Sequence, residues 1–468
     1  MATSEGDGND SQCPMLSKTL SGPSQSLLFG NLLQIDANTH LSWTKWSKEF
    51  GSIYKVSFGP MGNAVVFSGV NELAAAFEPE SENDNTFSDR WRPPVLEKIG
   101  YAGSISWENW LEGAKQRKHL MKEVFRSMDI EGLLKKEVDA VCDVLSNKEQ
   151  VDVCELLNQA NNNILLSLTL NRGDRYEYND DEFKILSEVI TSNHNRPVIA
   201  SPMNYVQCLW HTPLYNTMRR NYKCLKSTLQ PYIDSHRADF DSENIRDLID
   251  GYLGGIEETS FDVQEAIDHI KFLFPPACSL RVAMQWVILF VTRNDDVQKK
   301  IQEEIDQVLT DADEVNDEVV TNKMPYINAV IKESLRLATP VVQLIPHCAI
   351  KDTNFKGYEI KKDTIIIPNL WGPNHDPENW VDPFVFKPDR WLNVDNLPPG
   401  FMPFGSGLRK CDGYLMSMTA LRILTATVFK RFHLKGVEGE KLPSLEDSFM
   451  LVGCNHPNHF NVIATNRH

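Results

Sequence analysis

The sequence predicts a single, mainly helical domain with small β-sheets, an α+β chain in which helix dominates. Three observations carry this. From about residue 103 to 340 the apolar residues recur mostly at helical spacing. Short β-rich stretches lie on either side of that region, with turn formers beside them. No internal repeat and no linker composition divides the 468 residues, although length alone would suggest about three domains of ~150 residues each. Residues 1–25 read as a flexible polar tail rich in Ser, Gly and Asp, and 26–468 as the folded domain.

Taken in order, Ser52–Phe58 and Ala64–Phe67 are strand-like runs separated by Gly59, Pro60 and Gly62, hence a hairpin. Acidic stretches at Asn179–Glu182 and Asp311–Glu318 mark surface loops. The apolar run Trp286–Val291 is far shorter than the roughly 20 residues a membrane span needs and reads as buried helix. A second hairpin is expected over Phe355–Ile367, with Lys362 and Asp363 near its turn. Beyond Pro368 the chain turns rich in Pro, Asn and Trp.

Composition excludes some functions. Apolar residues make up 41% and charged residues 24%, with a net charge of -17. That balance argues against nucleic acid, whose phosphates need clustered Lys and Arg. It argues equally against broad contact with an anionic membrane surface. Nine cysteines at irregular spacing form no framework and point to free thiols in a reducing compartment. The stretch Met1–Asp10 is polar and acidic, unlike a signal peptide or an anchor. The expectation is a cytoplasmic protein without a transmembrane anchor, at most peripheral on membranes.

The strongest chemical signal is Phe404-Gly405-Ser406-Gly407-Leu408-Arg409-Lys410-Cys411-Asp412-Gly413. It fits F-x-x-G-x-R-x-C-x-G at every fixed position, and on it the chain resembles the cytochrome P-450 superfamily. The resemblance implies the cytochrome P-450 fold and heme b (iron protoporphyrin IX), with Cys411 as axial thiolate. Glycines such as Gly405 let the loop turn tightly beneath a flat cofactor. Gly413 removes a side chain where the next helix would approach the porphyrin. Arg409 can pair with a heme propionate as a fixed cation. A helix running on from Cys411 would aim its positive end at the sulfur and favour thiolate.

Three further segments agree with the resemblance. Glu333 and Arg336 in Glu333-Ser334-Leu335-Arg336 are three apart and share a helix face. In the superfamily this pair is a buried structural network joined by a later Arg, which matches Arg390 here. Lys323–Lys332 leads straight into that pair. Ile345-Pro346-His347 resembles the animal microsomal branch, where the matching His contacts a heme propionate. In the superfamily a Trp is followed about one helical turn later by a cation that contacts a propionate; position 114 is Ala here, and Lys115 and Lys118 are the candidates. Phe449–Val452 is expected to reach the substrate pocket. Cys454, His456 and His459 mimic a metal cluster, but their spacing fits no common zinc pattern and reads as a C-terminal sheet turn.

One segment departs from the superfamily. Its oxygen-activating members carry Ala/Gly-Gly-x-Asp/Glu-Thr in a helix above the iron, where acid and alcohol deliver protons to dioxygen. Here that motif falls on Pro275-Pro276-Ala277-Cys278-Ser279. Cys278 replaces the acid, Ser279 the Thr, and two prolines, costly in a helix interior, replace the small residues. A hydroperoxide arrives with its O–O bond already made and needs no such relay. The sequence therefore points to a hydroperoxide-metabolising enzyme resembling epoxyalcohol synthase, allene oxide synthase and hydroperoxide lyase. It would isomerise polyunsaturated fatty-acid hydroperoxides by O–O homolysis, without dioxygen or reductase. A reductase-dependent monooxygenase of lipids or other apolar small molecules is the alternative, and a heme protein without turnover a third.

Overall fold

The computed structural model describes residues 18–467, apart from 60–61, 79–85, 100–105, 111–113, 171–174, 195–211, 259–277, 395–396 and 452. Six helices carry the architecture: α1 (Ala114–Ser127), α2 (Ile130–Asn147), α3 (Val153–Leu170), α4 (Cys278–Arg293), α5 (Pro325–Ala338) and α6 (Tyr414–Arg431). Every residue of α4 except Ser279 and Arg293 is buried. A helix that is apolar on all sides belongs at the centre of the body, and α4 packs against α3, α5 and α6 at once. The run Trp286–Val291 is the middle of that helix.

Local chemistry sets the ends of α5. Pro325 opens it where the missing N–H is no loss. The Glu304 carboxylate accepts from the next two amides, Tyr326 N–H at 2.7 Å and Ile327 N–H at 2.9 Å. Thr339 closes the helix in the left-handed region, φ 40°.

The main sheet has five strands in the order β1-β2-β8-β5-β3. The sequence-predicted first hairpin is β1 (Ile53–Ser57) and β2 (Asn63–Phe67), antiparallel with Ile53 opposite Phe67. β2 then runs parallel to β8 (Ile365–Pro368), which pairs with β5 (His347–Cys348). β3 (Asp89–Arg90) completes the sheet with Arg90 directly opposite His347. A three-stranded sheet joins β4 (Val151–Asp152), β9 (Phe432–Gly436) and β12 (Asn461–Asn466). Two hairpins remain, β6 (Thr353–Phe355) with β7 (Tyr358–Ile360), and β10 (Phe449–Leu451) with β11 (Cys454–His456).

Two expectations change. The second hairpin turns at Lys356 and Gly357, both at positive φ, and its strands are β6 and β7. Asp363, also at positive φ, only turns the chain into β8, which leaves the hairpin for the main sheet. Ile365–Ile367 is buried throughout, as a strand inside a sheet must be. The packed chain also begins earlier than residue 26. The Lys18 amide donates to Gly357 O at 2.8 Å and the Lys55 amide to Ser21 O at 2.8 Å.

The Glu333 carboxylate is fully buried and accepts five hydrogen bonds. Arg336 donates to it twice, Nε to Oε2 and Nη2 to Oε1, each at 2.9 Å. Arg390 Nε adds a bond at 3.1 Å, the Lys387 amide one at 3.0 Å and the Trp391 indole N–H one at 2.8 Å. Arg336 spends its remaining Nη1 on the carbonyls of Asn374 and Pro383. Arg336→Lys cannot supply that fork. It is expected to destabilise the protein by about 3–5 kcal/mol, as the breaking of a buried pair does. Trp391→Phe removes one bond to a charged group, about 1.5–3 kcal/mol. Urea unfolding of both variants measures the order. A neutral Arg336→Lys would sink this assignment.

A second buried ion pair is pH-sensitive. His236 presents Nδ1 to Tyr232 O at 2.8 Å and Nε2 to Asp247 Oδ2 at 2.7 Å. Two acceptors suit an imidazolium. Burial pulls its pKa down, but the Asp247 bond and charge, with Tyr232 O, raise it above the ordinary 6.5. Because the folded value is raised, the stabilisation is complete below pH 6.5 and is lost as pH rises through the folded value. Unfolding stability should therefore decline above pH 6.5 more steeply than in His236→Gln. Parallel pH curves for the two proteins would refute it.

Candidate heme site

The cysteine loop lies between the sheet side of the molecule and α6. Gly405 and Gly407 have φ 67° and 58°, values that a side chain would strain. Residues 407–409 make one 3₁₀ turn, and the Cys411 amide donates back to Phe404 O at 2.8 Å. The loop thereby closes on itself and leaves the Cys411 side chain exposed. Phe404 packs edge-on against Tyr414, the first residue of α6, at 5.1 Å. A Cβ at Gly413 would meet nothing closer than Cys411 Sγ at 3.8 Å, so no protein atom of the fold demands glycine there.

Protein packed around the loop pushes the Cys411 thiol above its usual range, and Asp412 adds to this. The Gly413 amide, Lys118 and Lys410 act in the opposite direction without overcoming it. A metal cation bound at Cys411 would favour the thiolate against burial and Asp412.

Beside the loop lies a cluster of basic side chains, of which Arg90 and His347 are buried and Arg409 is half-buried. Arg90, His347 and Arg409 come from β3, β5 and the loop. Burial lowers the Arg90 pKa well below its usual range and the Arg409 charge lowers it further. Burial, then Arg90, hold His347 well below the usual histidine range, and Arg409 acts in the same sense. The two guanidinium charges repel one another out of water, His347 stays neutral beside them, and Asp89 and Asp412 offset the Arg409 charge only in part. Arg90 Nη1 donates to Ile345 O at 2.8 Å, but its Nε finds no acceptor among the described residues. Arg409 donates to Ser88 O and Glu108 O, each at 2.6 Å, and stands 5.2 Å over the Trp110 ring. Carboxylates of a flat cofactor fit this arrangement by charge and by hydrogen-bond demand.

Helix α1 divides its cations by face. Ala114, Arg117, Met121 and Val124 are its buried residues. Arg117 pairs with Glu108. Lys118 is half-buried, 2.7 Å from Asp412 Oδ1, and also donates to Lys410 O, so it braces the cysteine loop. Lys115 points to solvent. The buried register 114, 117, 121, 124 was readable as helical periodicity and marks Arg117 as the inward cation that the sequence reading passed over. Arg90 gave no such signal, because a two-residue strand has no pattern.

Of the departing segment, Pro275, Pro276 and Ala277 lie outside the described residues. Cys278 is buried at the first turn of α4, and its Sγ lies 3.3 Å from Cys454 Sγ. Ser279 is partly exposed. Cys454, His456 and His459 do not converge on a metal site. His456 stacks on Phe449 at 5.3 Å, and His459 Nδ1 lies 2.7 Å from Asp152 Oδ2. Phe449–Leu451 forms β10, whereas Val452 lies outside the described residues.

A helical body around α4, small sheets at its flank and an exposed cysteine on a glycine loop define the heme-thiolate class. The chain belongs to the Cytochrome P450 family, whose model matches residues 20–462. That family binds heme through an axial cysteine thiolate. The chain is 27% identical to a steroid 17-alpha-hydroxylase/17,20 lyase of Ictalurus punctatus, with 93% of this chain and 89% of that protein covered. It is 28% identical to Cytochrome P450 2U1 of Homo sapiens, over 90% and 80%. A solved zebra fish cytochrome P450, crystallised with abiraterone, superposes with a TM-score of 0.80 at 20% identity, covering 92% of this chain and all of that one. No described helix is long and apolar enough to cross a membrane.

The cation cluster makes a graded prediction for heme retention. Arg90→Met and Arg409→Gln each remove a charged donor worth about 1.5–3 kcal/mol, which is roughly ten- to a hundredfold in heme loss rate. Lys115→Ala should leave that rate unchanged. Transfer of heme to an apo-globin acceptor reads all three, and equal rates would show that the cluster does not hold the cofactor.

Proposed function

We propose that Cys411 ligates heme iron and that the protein is a reductase-dependent monooxygenase of an apolar small molecule. The carrying observation is the Cys411 loop set beside the Arg90, His347 and Arg409 cluster. Two similar proteins add support, since one is named as a hydroxylase and the other as a cytochrome P450, with most of both chains covered. Heme held by a thiolate supplies O–O cleavage and oxygen transfer.

The chain's own residues do the rest. Cys411 offers its Sγ from a loop fixed by the Phe404 carbonyl. Arg90, His347 and Arg409 would take the propionates, and Lys118 braces the loop through Asp412. Glu333, Arg336 and Arg390 hold the chain that leads into that loop. Ser279 would carry a proton to the heme, since in sequence it matches the superfamily's alcohol.

The fatty-acid hydroperoxide reading keeps one specific observation in its favour. At the place of the groove's acid stands Cys278, whose thiol is engaged by Cys454 and not by solvent or a carboxylate. A groove without an acid delivers protons poorly, and a hydroperoxide does not need them. No relative reported above is named for such a reaction, so this reading stands second.

Two measurements test the proposal. Cys411→Ala should lose the carbon monoxide spectrum of thiolate heme while the far-ultraviolet helix signal stays. A retained spectrum would overturn the ligand assignment. Turnover should require NADPH, reductase and an unoxidised fatty acid or other apolar substrate. Fast consumption of a fatty-acid hydroperoxide by the ferric protein alone, with no hydroxylation in the complete system, would reverse the order of the two readings.

A further inference from the structure

Cys278 and Cys454 are 176 residues apart in sequence and come together inside the protein. Their sulfurs lie 3.3 Å apart, and the two residues are 3% and 4% exposed. A disulfide needs about 2.0 Å, so closure asks for a small approach of two side chains already facing one another.

Both partners are held in place. Cys278 is the first residue of α4, the central helix. Cys454 opens β11 opposite Leu451 and bridges to Val341. The next residue, Asn455, is tied on three sides. Its amide donates to Pro340 O at 2.9 Å, its side chain donates to Ala338 O at 2.8 Å, and its carbonyl accepts from the Trp286 indole at 2.7 Å. Trp286 belongs to α4 itself, so the β10–β11 hairpin is fixed to the helix that carries Cys278.

We propose that Cys278 and Cys454 form a reversible disulfide, closed by a hydroperoxide and reopened by small thiols. It holds under either reading of the heme chemistry. The Cys278 thiolate attacks the terminal oxygen of the hydroperoxide. The O–O bond breaks, the S–O bond of a sulfenic acid forms, and the alkoxide leaves and takes a proton to become an alcohol, or water in the case of hydrogen peroxide. The Cys454 sulfur then displaces hydroxide from the sulfenic sulfur, and that hydroxide leaves with the Cys454 proton as water. Two thiols are oxidised by two electrons and one peroxide is reduced. Two molecules of a glutathione-type thiol reverse it by exchange.

The order of attack follows from the surroundings. Either sulfur can donate to the other; the hydrogen bond with Cys454 lowers the Cys278 pKa against the effect of burial, and Arg281 one turn along α4 acts in the same direction. Cys454 is driven well above the usual thiol range, first by that same bond and then by burial. The thiolate of the pair is therefore Cys278 and the resolving thiol Cys454. In a reducing compartment such a pair rests as thiols and closes under oxidant, which is how intracellular disulfides usually work.

The test uses purified holo-protein and hydrogen peroxide at a few equivalents. Free thiols are then alkylated under denaturing, non-reducing conditions and the protein is cut with trypsin. Cys278 falls in the peptide 272–281 and Cys454 in the peptide 442–467, each with a single cysteine. The expected product is these two peptides joined, lighter by two hydrogens, and separated again by dithiothreitol. The thermal midpoint should rise on oxidation and return on reduction in the wild-type protein. Neither change should occur in Cys454→Ser. Recovery of both peptides fully alkylated, under conditions that oxidise the exposed Cys224, would overturn the proposal. So would a stable sulfenic or sulfinic Cys278 with no cross-link.

Discussion

The buried carboxylate of Glu333 is the constraint on which the rest of this structure depends. A negative charge without water survives only if every lone pair is answered. The five donors that answer it come from α5 itself and from residues 387–391. These bonds fix where the chain runs before it reaches the cysteine loop. The cysteine loop then closes through its own bond, the Cys411 amide to Phe404 O.

The fold and the site were legible to different degrees. The helical centre was readable because Trp286–Val291 can only be buried, and burial on all sides is what a central helix requires. The first hairpin was readable from Gly59 and Gly62. The second was misplaced, because Lys362-Asp363 and Lys356-Gly357 are both plausible turns and only the sheet decides between them. β8 is taken by β2 from the far end of the chain, a choice that no local pattern records. In the site, Cys411 and Arg409 were legible from fixed spacing. Arg90 was not, because its role comes from its cross-strand place opposite His347.

Lys115 and Lys118 show the same limit at closer range. One residue on a helix turns a side chain by about 100°, and the neighbouring Arg117 is the one that faces inward. The apolar residues Met121 and Val124 share the inward face with Arg117, which pairs with Glu108, while Lys118 beside that face reaches Asp412 of the cysteine loop and Lys115 faces solvent. The Cys278–Cys454 contact lies further from sequence. Neither residue stands in a cysteine motif, and only the folding of β11 onto α4 makes them neighbours.

The parallel pairing of β2 with β8 has a consequence for how the molecule is made. Val65 pairs with Ile366, about 300 residues later. At about 5–20 residues per second, the ribosome needs of the order of 15–60 s to supply that partner. Until then the β1–β2 hairpin has an unsatisfied edge carrying Val65, Val66 and Phe67, the kind of edge that recruits other chains. Arg90 likewise waits for His347 and then for Arg409, so the cluster is assembled only once the cysteine loop has been made. Over that interval the nascent chain carries an adhesive strand and no place for its cofactor, and its yield in a cell depends on how well the interval is chaperoned.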